Sequence, residues 1–355
     1  MRYSNFLFPD SPTPADDGRV IDETLQEARL TDQLGFDTIW LAEHHFDGIC
    51  AYVDPVSFAA TLAAATTRAR IGFAVAQMAL HHPIRMAEQV ALIDHLSKGR
   101  LIVGLGRGTA YNIYDYQGFG IDHTEAQARF EEAEAIMLRA WTGEPLDHNG
   151  KFFKLKLPAL RPAPYTKPHP YLIRAAATEH GMLDIARRGD PFMMNVQSNA
   201  VTAQRMALFK ETLRGLGLDE ATVAEKADEC WVWRNVYVAE TDAEAERLAV
   251  PAFINMHERR VEMRNKVYAE QGASILPMPP AGAAPPAHAQ VEHALVCGSP
   301  ATVAEKLAPL AATGVGGLIM QFRLGPMSFE QTASSLTLFR DEVIPALEAS
   351  QTKAA

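Results

Sequence analysis

Cysteine is scarce: Cys50, Cys230 and Cys297 are the whole set. An odd number of widely spaced thiols excludes a disulfide framework and offers no metal-site spacing, so a reducing compartment, the cytoplasm, is expected. Long apolar runs are also missing. No stretch approaches the roughly 20 residues that a membrane-spanning helix needs, and the opening Met1–Phe8 segment meets Pro9 before it builds the apolar core of a secretion signal. Positive charge is outnumbered, with 33 lysines and arginines against 43 acids and a net charge of −10. That balance excludes a general attraction to nucleic acid or anionic lipid. Any anion must be held by a few placed groups.

What the chain has is ordinary globular material, 48% hydrophobic and 21% charged over 355 residues, which excludes a disordered, collagenous or coiled-coil chain. Extended apolar runs alternate with helical patterns from end to end, the order that a parallel sheet with helical crossovers requires. Strands are expected at 1–8, 37–42, 70–78, 101–105, 171–175, 192–194, 230–238 and 317–322. Helices are expected at 21–34, at 55–67 with Asp54 as N-cap and Pro55 in the first turn, at 84–97, 122–141, from Thr178, and from Ser299-Pro300. Eight strands separated by helices predict an α/β fold of the TIM-type (β/α)8 barrel, one domain spanning 1–355. The length beyond roughly 250 residues goes into two additions. Asn149-Gly150 sits between short extended runs and predicts a hairpin insertion near 144–168. Five prolines between 275 and 290 mark a loop near 272–292, which is read as a mobile lid on the active-site face, with a solvated insertion as the alternative.

Chemistry concentrates in Trp40-Leu41-Ala42-Glu43-His44-His45-Phe46, where the second strand ends. The carboxyl ends of barrel strands open onto the active-site face, and a buried histidine there can accept or donate one proton. Neighbouring strand residues point to opposite sides, so only one of His44 and His45 can face the barrel mouth. Glu43 can fix an imidazole tautomer or serve as a buried partner. A metal site using these histidines with His81-His82 is the rival reading. Gly104, Gly106 and Gly108 allow backbone to approach a ligand closely, and the helix from Thr178 offers free N–H groups to an anion. Met78, Met193, Met194, Met320 and Phe322 at strand ends suit either an apolar substrate or plain core; Trp231 and Trp233 read as packing.

The run Gly35–Phe46, followed by His82-Pro83-Ile84-Arg85 with Ala87-Glu88, Ser97-Lys98-Gly99-Arg100 and Gly106-Arg107-Gly108, resembles the bacterial luciferase-like flavin monooxygenases in order and interval over nearly the whole chain. That resemblance implies a barrel binding FMN at the strand ends. It also implies that reduced FMN comes from a separate flavin reductase and that one oxygen atom of O2 enters a small apolar or carbonyl-bearing substrate through a hydroperoxyflavin. It assigns catalysis to His44 and cofactor contacts to Arg107, Gly108, Ala74, Val75, Arg174, Ala175, Thr178 and Glu43, with no metal. Ala74-Val75 falls where the family has a non-prolyl cis peptide. Two departures stand out. Ala175 replaces an expected phosphate-binding serine, and Gly106 replaces a cysteine, which argues against light emission. A homodimer is implied, with the alanine-rich run 59–65 suited to close helix packing. Two alternatives stay open within this superfamily: a deazaflavin-dependent oxidoreductase, and a protein that binds FMN without catalysis. A metallohydrolase is a further one.

Overall fold

The computed structural model describes residues 1–108, 112–272, 291 and 294–354; apart from 272 and 291, the lid expected near 272–292 falls outside them. The strands are β1 (Arg2–Leu7), β2 (Thr38–Leu41), β3 (Arg70–Phe73), β4 (Ala76–Gln77), β5 (Leu101–Gly106), β6 (Leu146–Asn149), β7 (Lys154–Leu157), β8 (Tyr171–Ala176), β9 (Phe192–Met194), β10 (Trp231–Val238), β11 (Leu295–Gly298) and β12 (Gly317–Gln321). Eight of them, β1, β2, β3, β5, β8, β9, β10 and β12, pair in parallel and close on themselves, because β10 pairs both β9 and β12 while β1 pairs both β12 and β2. The expected (β/α)8 barrel is therefore present.

Alternation along each strand sorts side chains between the lumen and the helical layer. Phe6, Trp40, Ile102, Ile173, Met193, Trp231 and Ile319 form one cluster inside the ring, whereas Leu7, Leu41, Ile71 and Val103 pack outward against helices. Two indoles fill the lumen, Trp40 and Trp231, with ring centroids 5.1 Å apart. Room for them comes from glycine. A Cβ on Gly72 would sit 2.3 Å from Trp40, and one on Gly317 would sit 2.2 Å from Trp231.

Local signals explain most boundaries. Asp54 caps the helix Pro55–Ala65 by accepting from Val56 N at 2.9 Å and Ser57 N at 3.3 Å. β6 and β7 form the expected hairpin, antiparallel with Asp147 opposite Lys156. The run expected as one strand over 70–78 is two, β3 and β4, with a cis Ala74–Val75 peptide between them. Several elements were not expected, the helices Asn199–Gly215, Glu220–Asp228 and Phe329–Leu338 among them, and two more bear on the site. The helix Asp242–Gln271 follows β10, and β11 pairs the outer half of β10 beyond the part that pairs β12.

Candidate active site

His44 and His45 follow β2 at the carboxyl-end face and part company there, as the alternation requires. The His44 ring meets the edge of Phe8 at 5.4 Å and lines a cleft of about 150 Å³ with Asp47, Ile49, Trp233, Arg260, Met263 and Arg264. Burial lowers its pKa below the ordinary value; Asp47 opposes that shift and Arg260 reinforces it. At neutral pH the imidazole is therefore uncharged, with one N–H and one lone pair to offer. Asn112 Nδ2 lies 3.5 Å from its Nδ1.

His45 turns the other way. Its Nε2 donates to Glu43 Oε1 at 2.9 Å, His81 Nε2 donates to the same oxygen at 2.9 Å, and Gln77 N donates to Oε2 at 2.6 Å. Burial alone would raise the Glu43 pKa, but the His81 charge and these hydrogen bonds bring it down to about 2. His81 is raised in turn, because the Glu43 charge and hydrogen bond outweigh the burial that lowers it. Glu43 thus serves as the buried partner of His45 and His81 and makes no hydrogen bond to His44. Gln77 Nε2 also joins Glu43 O at 3.0 Å to Asp115 Oδ2 at 2.9 Å. Burial pushes Asp115 up to about 6, against the Gln77 hydrogen bond and the His45 charge. Asp115 and Gln77 were not anticipated, since nothing in their spacing ties them to Glu43.

Across the barrel mouth, β5 and β8 run side by side with Leu105 opposite Arg174, so Arg107-Gly108 and Ala177-Thr178 leave the sheet as neighbours. Arg107 is exposed, and its carbonyl accepts from the Tyr116 hydroxyl at 2.8 Å. Gly108 has φ +88, and a Cβ there would sit 2.2 Å from Gln77 Oε1, so both conformation and room require glycine. A Cβ on Gly106 would meet Val75 Cγ2 at 2.4 Å; the cysteine of the luciferases has no space here. Ala74 and Val75 are half-buried against the lumen cluster. On β8 the alternation turns Ile173 into the lumen and is buried, and two residues on Ala175 faces the same way and is exposed, so the mouth is open above it. Thr178 is exposed and caps the helix Glu179–Ala186 through Gly181 N at 3.1 Å.

Arg174 corrects the expectation placed on it. The alternation that aims Ile173 and Ala175 inward turns Arg174 outward, where its guanidinium reaches Glu134 at 2.5 Å and Asp190 at 2.7 Å. Two carboxylates already balance it, so it is not left to face an anion.

The cleft's remaining wall comes from the helix Asp242–Gln271. Arg259 ion-pairs with Asp10 and donates to Ser11 O at 2.8 Å, while Tyr114 donates to Glu270 and Gln117 to Gln271 at 3.0 Å. Pinned at both places, the helix brings Arg260 to 4.8 Å from the centre of the Phe8 ring. Trp233, expected to be packing, lies against Phe6 at 4.5 Å and also lines the cleft, with its indole Nε1 lacking a hydrogen-bond partner among the described residues. The available signal was the pair Arg260 and Arg264, four residues apart and so on one helical face; in sequence it reads as a solvated charge run. Among the described residues, no three His, Cys, Asp or Glu side chains are grouped to hold a metal ion, and no helix is long and apolar enough to cross a membrane.

Residues 1–316 match a protein family described as luciferase-like monooxygenase. Limonene 1,2-monooxygenase of Rhodococcus erythropolis is 28% identical over 246 residues, covering 68% of this chain and 62% of that protein. The chain spans only 43% to 62% of the length of the first three curated relatives it matches. Among solved structures, the monooxygenase RslO1 from Streptomyces bottropensis is 26% identical with a TM-score of 0.79, covering 97% of this chain and 99% of that one. The oxygenating constituent of 3,6-diketocamphane monooxygenase from Pseudomonas putida, in complex with FMN, shares the fold at TM-score 0.78 and 20% identity, over 97% and 98% of the two chains. An F420-dependent secondary alcohol dehydrogenase shares it at TM-score 0.74 and 18% identity, over 98% and 99%.

Proposed function

The chain belongs to the luciferase-like monooxygenase family, and from that premise we propose that it is an FMN-dependent monooxygenase. It acts as one unit over 1–355, inserting one oxygen atom of O2 into a small apolar or carbonyl-bearing molecule, with reduced FMN delivered by a separate flavin reductase. The observation that carries this reading is His44, a half-buried, uncharged imidazole in a cleft at the open end of the barrel.

The residues fit the cofactor. Ala74, Val75 and Ala175 stand at the mouth, and beside them the exposed Arg107 and the free N–H groups of the helix that Thr178 caps suit a phosphate. Gly108 lets that backbone approach; Arg174 and Glu43 support the site from behind. When bound, reduced FMN supplies the electrons that activate O2. His44 holds or releases a proton within the cleft, the role for which an uncharged imidazole is suited at neutral pH. Phe8, Ile49, Trp233 and Met263 keep water from the substrate. Limonene 1,2-monooxygenase and the diketocamphane enzyme, monooxygenases by name, support the reaction class. The exposed Leu92 and Leu96 on the helix Pro83–Ser97 support a homodimer, and the scarcity of cysteine supports a cytoplasmic site.

The test is rapid mixing of the purified chain and reduced FMN with O2, followed by a panel of aldehydes, ketones and terpenes. We expect oxidised-FMN absorbance to return slowly, peroxide below one per flavin, and His44→Ala to slow substrate oxygenation by about 100-fold. Immediate stoichiometric peroxide from the unaltered chain overturns the proposal. The second reading, hydride transfer with a deazaflavin, draws on the shared fold of the F420-dependent dehydrogenase; tighter binding of the reduced deazaflavin than of reduced FMN decides for it.

A further inference from the structure

We propose that Gln77 is a positioning residue that locks His44 and the Arg107-Gly108 turn into one frame, so that the proton-handling imidazole and the anchor for the cofactor's phosphate keep a fixed relation. The proposal rests on the reading of those two places as the proton site and the phosphate site.

β4 is two residues long, and Gln77 is its second. The side chain is buried, 2% exposed, and its amide sits between the segments that leave β2 and β5. On one side Nε2 donates to the Glu43 carbonyl at 3.0 Å and to Asp115 Oδ2 at 2.9 Å, while the Gln77 backbone N–H donates to Glu43 Oε2 at 2.6 Å. The Glu43 carbonyl belongs to the peptide group that ends at the His44 Cα, and that group is planar. Holding its oxygen therefore holds the backbone from which the imidazole projects. The Glu43 carboxylate is tied down as well, by His45 and His81, so the residue before His44 is fixed through both main chain and side chain.

The other side of the amide meets the turn. Both acceptors of Nε2 lie towards Glu43 and Asp115, which sets the orientation of the amide and turns Oε1 to Gly108. Oε1 has no hydrogen-bond donor among the described residues. Gly108 packs so close that an added Cβ would sit 2.2 Å from Oε1 and 2.7 Å from the Tyr116 hydroxyl, and that hydroxyl donates to Arg107 O at 2.8 Å. β4 pairs β5 with Gln77 opposite Gly106, and Met78 N donates to Gly106 O at 3.0 Å. The turn thus leaves β5 wedged between the Gln77 amide and the Tyr116 hydroxyl.

Packing does not account for glutamine here. A methionine would fill a similar volume without leaving a buried carbonyl oxygen unpaired, which is unfavourable by itself. What glutamine adds is a hydrogen bond to the peptide before His44 at one end and a stop for the turn at the other. A small misplacement of a reacting group lowers rates steeply, and a shared frame guards against it.

Gln77→Met keeps the length of the side chain and removes its hydrogen bonds. In the folded variant we expect FMN affinity to fall about tenfold while riboflavin, which lacks the phosphate, is spared; equilibrium binding of the oxidised flavins, read by fluorescence, measures both. In the flavin-free chain the His44 ring-proton resonance, assigned against His44→Gln, should move. A change at one of the two places alone, or at neither, overturns the proposal. Gly108→Ala approaches from the other end and leaves Gln77 in place. Its methyl group presses on Oε1, so the His44 resonance should move although Gly108 lies beyond β5 and His44 beyond β2. On a Gln77→Ala background that response should vanish; a response that persists travels by another path and overturns the assignment to Gln77. If the unaltered chain binds neither flavin, the FMN reading fails, and the response of His44 to Gly108→Ala still judges the frame by itself.

Discussion

Glu43 and His44 are chain neighbours with opposite work. One carboxylate is buried and charged, holding His45 and His81; the next side chain is half-buried and uncharged, facing the cleft. The pair formed by Glu43 and His81 makes stability depend on pH in a defined way. Glu43 is depressed from 4.5 to about 2, so its contribution is complete above its unfolded value and is lost as pH falls from about 4.5 towards 2. His81 is raised above 6.5, so its contribution is complete below 6.5 and is lost as pH climbs through the folded value. The interaction is strongest between those limits. Glu43→Gln should therefore cost roughly 3–5 kcal/mol near pH 6, the loss typical of breaking a buried ion pair, and the gap to the unaltered chain should narrow at both extremes. Urea unfolding from pH 3 to 8 measures this; a constant gap contradicts it. The Glu-His-His order was visible in sequence as a cluster, and so was the opposite facing of the two histidines. The third member, His81, was not assignable to Glu43, because the turn after β4 brings it back over 38 residues of chain.

At the scale of elements, the helix Asp242–Gln271 matters most to the cleft and was the least readable. Half of its buried positions, Ala245, Ala249 and Ala252 beside Phe253, Met256 and Val267, are alanine, its exposed charges run around much of the surface, and Pro251 interrupts the pattern. What orients it is the long-range contact of Arg259 with Asp10, whose carboxyl burial raises and Arg259 lowers. Arg259→Met should leave Asp10 buried without its partner and loosen the helix locally. Hydrogen exchange of amides 252–271 should quicken about tenfold while the barrel strands stay protected; unchanged exchange would show that the helix is held elsewhere. By contrast, Asp54-Pro55, Asn149-Gly150 and Thr178 were readable, because caps and tight turns are satisfied by side chains within three residues.

For the whole molecule, the outer surface and the lumen answer to different demands. Leu92 and Leu96 are 52% and 50% exposed on the helix Pro83–Ser97, four residues apart and so on one face. If this face joins two copies, Leu92→Glu with Leu96→Glu should convert a dimer to a monomer in sedimentation equilibrium with little change in unfolding midpoint. A dimer that persists places the contact on another face.

The sequence by itself determined the barrel, because the alternation of strand and helix patterns is local information repeated along the chain, and parallel strands with helical crossovers leave few ways to close. It also determined that His44 stands at a strand end. Only the tertiary structure decided the partners. Arg174 went to Glu134 and Asp190 because strand alternation turned it outward, and Glu43 went to His81 because a turn closed there. Arg260 and Arg264, an ordinary charged stretch in one dimension, entered the cleft because Asp10, some 250 residues earlier, holds their helix in place. Charge pairing across that distance depends on where the folded chain puts each group, and no local pattern encodes it.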